Sequence, residues 1–167
     1  MEQKNHSELI SRMIAWDAGD PKRIHHFLKV YAFAKTIGER ERLDEKTQFI
    51  LEAAAVVHDI GIKLSEEKYG DCIGPHQEAE GEAAAGAMLR ELNYPTEVTE
   101  RVSYLVGHHH TYRGVDGPDY QILLEADFLV NGYESAMEED AIRSFRDRVF
   151  KTESGKEFLE SLFPFLK

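Results

Sequence analysis

Apolar residues recur along this chain at helical spacing, and no stretch alternates every second residue as a half-buried strand would. Ser7 to Ala18 reads as a short amphipathic helix carrying Leu9, Ile10, Met13, Ile14 and Trp16, closed by Gly19. Asp20 and Pro21 form a helix start, N-cap then first helical residue, and the helix they open runs to about Arg42. Its wide apolar face includes Ile24, Phe27, Leu28, Val30, Phe33 and Ile37. Asp44 caps the next helix, in which only Glu52 is polar between Phe49 and Val57, the pattern of an element inside a bundle. Gly61 is read as the residue that lets the chain turn away, and Lys63 to Pro75 as a polar connection. Further helices are expected over His76 to Leu92, from Pro95 or Thr96 into the His108-His109-His110 run, and from Asp119 past Val130, the last two separated by an Arg113 to Pro118 loop. Glu138 to Phe150 and Ser154 to Phe165 complete the chain as cover, with Ile142, Phe145, Val149, Phe158, Leu159 and Leu162 facing in. The fold class is therefore all-α, a single-domain helical bundle over residues 1–167.

A few ionisable residues interrupt these apolar faces. His58 and Asp59 end the most apolar helix, and a buried carboxylate must be paired, protonated or bound to a cation. His26 continues the stripe Val30, Phe33 and Ile37, whereas the same count from His25 gives Lys29, Ala32 and Thr36, so His26 points in. Asp127 lies on the stripe Tyr120, Leu123, Leu124 and Val130. His109 extends Val98, Val102, Leu105 and Val106, with His108 one step round and His110 nearer the helix end. Two imidazoles and two carboxylates, His26, His58, Asp59 and Asp127, form a mixed nitrogen and oxygen donor set suited to Fe, Mn, Co, Ni or Zn. His76 and Glu80, four apart, share a helix face.

Composition narrows the function classes. The 167 residues suffice for a substantial core without staples, and one cysteine, Cys72, permits no intrachain disulfide, which suits a reducing cytoplasm. The apolar runs fall short of a membrane span, and the amino-terminal MEQKNHSELI lacks a signal-peptide core, so a cytoplasmic protein with no membrane partner is expected. A net charge of -11 disfavours long nucleic acid and favours small substrates.

Four pieces in order carry a resemblance: His26 in HHFLKVYAFA, the doublet in VVHDIGIK, the histidines of VGHHHTY and the late aspartate in LLEADFLVN. Together they resemble the HD superfamily of metal-dependent phosphohydrolases, over about residues 21–131. The resemblance implies an all-helical bundle in which His26, His58, Asp59 and Asp127 bind one divalent transition metal ion. It implies a second ion or a substrate contact at His76, His108 and His109, since some members hold two metals. Lys63 follows the doublet as HDIGIK, one residue beyond the HDIGK spacing of several branches, and HHHTYRGVDGP does not match the GYP element of the cyclic-dinucleotide branch.

The expected activity is hydrolysis of a nucleotide or other small phosphate ester by metal-activated water, with Asp59 orienting the water. Glu80 is a candidate proton acceptor or partner of a ligating histidine. Lys63, Arg23, Lys29 and Arg113 are candidate phosphate contacts. A di-iron oxygenase and a non-catalytic metal or nucleotide sensor remain open beside the hydrolase.

Overall fold

The computed structural model describes residues 5–167, so the first four residues of the amino-terminal reading above lie outside the described residues. Among the described residues the elements are α1 (Ser7–Trp16), α2 (Pro21–Arg40), α3 (Glu45–Val57), α4 (Gly61–Tyr69), α5 (Gly74–Glu91), α6 (Thr96–Val106), α7 (Pro118–Glu134), α8 (Glu139–Val149), α9 (Glu153–Leu162) and a terminal 3₁₀ turn at Pro164–Leu166. No strand occurs among them. Local chemistry sets several starts. The Asp20 carboxylate accepts from the Arg23 amide with Pro21 at the first helical position, Asp44 accepts from the Thr47 amide, and the Thr152 hydroxyl accepts from the Gly155 amide.

Helix α3 is the axis of the bundle. From Ile50 to Val57 every residue is buried, including Glu52, whose carboxylate accepts from Gln48 Nε2 at 2.9 Å and Tyr31 Oη at 3.4 Å. Helices α2, α6 and α7 pack around it, α5 lies between α4 and α6, and α9 closes over α7. Helix α7 is nearly as enclosed, with Ile122 to Val130 buried throughout.

Three expectations need correction. Residues 61–69 are helical, so the polar connection shrinks to the short turn before α5. Gly61 opens that helix instead of ending the previous one. Its role is close approach, because a Cβ there would lie 2.3 Å from the Gln77 carbonyl oxygen and 2.9 Å from Gly81 Cα, which lets α4 and α5 cross backbone to backbone. Leu162, expected to face in, is 42% exposed, because α9 ends at that residue and Leu166 supplies the buried contact from the following turn.

Candidate metal centre

The segments α2, α7 and the α3–α4 corner bring His26, Asp127, His58 and Asp59 together. His26 is buried while His25, its neighbour, is exposed, as the helical phase requires. Helix α3 ends at Val57, and the chain turns tightly through residues 58–60, with the Ile60 amide on the Val57 carbonyl and the Ile62 amide on the Asp59 carbonyl. That turn aims two consecutive side chains at one point. His58 Nε2 lies 3.2 Å from Asp59 Oδ2, from Asp127 Oδ1 and from His26 Nε2. His26 Nε2 is in turn 3.2 Å from Asp59 Oδ2 and from Asp127 Oδ1.

The histidine tautomers follow from the outer hydrogen bonds. His58 Nδ1 donates to the Ala55 carbonyl at 2.7 Å, and His26 Nδ1 to Glu134 Oε1 at 2.6 Å. Each partner can only accept, so in the neutral imidazole the proton is on Nδ1 and Nε2 presents a lone pair. Four electron-pair donors therefore meet in one buried place, an arrangement that requires positive charge. The carboxylates express that requirement on the imidazoles. Burial alone would lower His26, yet its hydrogen bonds to Asp127 and Asp59 raise it to about 10. Burial likewise opposes charge on His58, and the Asp59 and Asp127 charges hold it well above the ordinary histidine value. Asp59 and Asp127 move the other way: burial raises them, and the His58 charge with the histidine hydrogen bonds carries both below the usual carboxylate range.

A divalent ion would suit this donor set better than protons, because one proton bridges two atoms and an ion accepts several lone pairs at once. The spacing agrees, since ligands about 2.2 Å from an ion and at right angles to one another stand ~3.1 Å apart. A further atom points to the same need. His109 Nδ1 donates to the Val106 carbonyl at 2.7 Å, which turns the Nε2 lone pair inward. That Nε2 is buried, unaligned for any hydrogen bond, and 3.3 Å from Asp59 Oδ1. His58 and His109 thus use one device: each caps a carbonyl three residues back at a helix end, where the helix dipole also favours a cation.

Asp59, His109 and His110 form a second donor group, their candidate ligand atoms all within 4.8 Å of one another, as are those of His26, His58 and Asp59. Burial and then the neighbouring His109 lower His110 to about 4, so it is neutral near pH 7. Its Nε2 stands 2.8 Å from Gln77 Oε1, and its amide donates to Glu78 Oε1.

The remaining expected residues lie elsewhere. His108, expected at a second ion or a substrate contact, stacks on Tyr104 at 4.0 Å, donates from Nδ1 to the Tyr104 carbonyl and stands outside both donor groups. The reason is that α6 ends at Val106 and the following turn shifts the phase, so that His109 and His110, not His108 and His109, face Asp59. His76 stacks on Tyr69 and pairs with Asp71 at 2.7 Å, outside both donor groups. Glu80 accepts from Lys68 Nζ at 2.8 Å and Tyr69 Oη at 3.0 Å, tying α5 to α4. Lys63 turns back to α1, its Nζ 3.4 Å from the Trp16 carbonyl and 5.6 Å from the centre of the indole. Arg23 pairs with Asp20 and Glu66, and Lys29 with Glu134. Sequence reading missed Glu134. It stands seven residues after Asp127 on the same face of α7, and that spacing was the available signal.

A family model for the HD domain matches residues 23–142. The chain is also similar to a crystal structure of a predicted HD superfamily hydrolase from an uncultured Thermotogales bacterium, with 26% sequence identity and a TM-score of 0.68 over 99% of this chain and 90% of that one. No curated protein matches.

Proposed function

The chain belongs to the HD domain family, and on that premise we propose that it is a metal-dependent phosphohydrolase acting on a nucleotide or another small phosphate ester. The observation that carries this reading is that the His26 and His58 Nε2 atoms stand 3.2 Å from each other and 3.2 Å from both Asp59 Oδ2 and Asp127 Oδ1, with both outer histidine nitrogens already engaged. In the proposal those four residues hold one divalent transition ion, and His109 with His110 extends the site from Asp59. Fe, Mn, Co, Ni and Zn all suit the donors. Such an ion, when bound, polarises a phosphoryl oxygen and brings the pKa of a water to about 7.

Asp59 is the proposed catalytic residue. Its Oδ2 faces His26 and His58 while its Oδ1 faces His109, so one carboxylate serves both donor groups and can orient the attacking water and accept its proton. Asp127 and the histidines hold the reacting groups in place, and Glu134 keeps His26 in the required tautomer. The formal net charge of -11 supports a small phosphorylated substrate over long nucleic acid. No helix among the described residues is long and apolar enough to cross a membrane, in keeping with the proposed cytoplasmic location.

The sharing of Asp59 between two donor groups also supports a second reading, a two-ion oxygenase. A panel of phosphate esters assayed with each metal separates the two. The hydrolase reading expects phosphate release that requires Mn, Co, Fe or a similar ion, stops with a chelator, and falls strongly in Asp127→Asn with the helical fold intact. No release from any ester, with oxygen consumption by a reduced di-iron form, would replace it by the oxygenase.

A further inference from the structure

We propose that the cavity between the loop after α6 and the end of α8 is an anchor for a second phosphate group of the substrate, remote from the one hydrolysed. This rests on the phosphohydrolase reading. The cavity, about 270 Å³, is lined by Arg113 and Tyr112 from the loop, Gln121 and Leu124 from α7, and Arg148 and Lys151 from the end of α8 and beyond. Among the described residues, three cations line it and no carboxylate does. That composition runs against the chain as a whole, which has 31 acidic residues against 20 basic ones. A larger cavity, about 550 Å³, shows the ordinary balance, with Glu39, Glu45 and Glu52 around a single Lys35.

The three cations are also unneutralised. Among the described residues Arg113 and Lys151 make no ion pair, and the Arg148 side chain bonds only the Ser144 hydroxyl, at 3.1 Å. Arg12, Arg23, Arg40 and Arg101 each engage a carboxylate instead. Three uncompensated cations suit a dianionic phosphate better than a singly charged carboxylate, and the arginine forks match its oxygens. The position ties the cavity to the metal centre. Leu124 stands three residues, nearly one helical turn, before Asp127 on α7, and burial, followed by the Asp127 charge, pushes the Tyr112 phenol up. In the proposal, a ligand seated in the cavity spans from there to the donor cluster with its other end. The substrate class that follows is a small molecule with phosphate groups at two separated positions.

The test is an amide NMR titration of the full-length, metal-loaded protein at constant ionic strength. Inorganic phosphate is expected to give saturable shifts around Arg113 and Lys151, acetate much weaker ones, and the combined Arg113→Gln, Arg148→Gln and Lys151→Gln variant none. Unsaturable shifts, or shifts that survive in the variant, overturn the site. A doubly phosphorylated ester is expected to shift both this region and the residues around Asp59 with one affinity, and the variant is expected to raise its KM roughly tenfold more than that of a singly phosphorylated ester. Equal KM changes, or binding at only one of the two places, overturn the anchoring role. If no ester is turned over with any metal, the hydrolase reading fails, and the two-place binding still decides whether the cavity holds a second phosphate.

Discussion

At the scale of single residues, the site depends on atoms that face away from it. Glu134 touches none of the converging donor atoms, yet its Oε1 accepts the Nδ1 proton of His26 at 2.6 Å and leaves Nε2 free to act as a donor of its lone pair. Lys29 Nζ, 3.3 Å from Glu134 Oε2, holds the other carboxylate oxygen. Glu134→Gln preserves the shape and removes the charge, so metal affinity is expected to fall by about 10-fold to 100-fold, read by competition against a chromogenic chelator. Unchanged affinity would reduce the contact to packing. Inward placement of His26, His109 and Asp127 was legible in the sequence because each continues an apolar stripe, where a polar residue has only one plausible orientation. Glu134 was hidden because it falls in the last turn of α7, beside Asn131 and Ser135, where polar residues ordinarily meet solvent.

At the scale of elements, helix ends do the positioning. The α3–α4 corner presents His58 and Asp59 together, and the turn after α6 presents His109 and His110. Counting 100° per residue works inside a helix and fails past its end, which is why the sequence favoured His108 over His110. The same limit concealed α4. Its Glu66-Glu67-Lys68 run is polar, and its few apolar positions give a weak periodic signal, while Gly61 and Gly70 at its two ends read as loop residues. Gly61 is nevertheless the point on which the corner rests, since α5 backbone occupies the space of a side chain. Gly61→Ala is expected to cost about 1–3 kcal/mol of unfolding free energy by forcing α4 and α5 apart, measured by urea denaturation with an unchanged m-value. It should also weaken metal retention through Asp59, two residues earlier. Full stability in that variant would mean the crossing is loose.

At the scale of the whole molecule, the bundle separates two tasks. Helices α3 and α7, apolar nearly all round, form an interior that fixes where the ionisable residues stand, and the bundle class was legible from that patterning alone. The polar ends of the helices and the loops between them shape the approach to the site, and these were less legible because their contacts join residues far apart in sequence. The account depends on the donor cluster holding a metal ion. Elemental analysis of the purified protein beside His58→Ala and Asp59→Ala tests this most directly, with circular dichroism confirming that each variant remains helical. The account predicts stoichiometric divalent transition metal in the wild type and its loss from both variants. Equal metal content in all three proteins would contradict it.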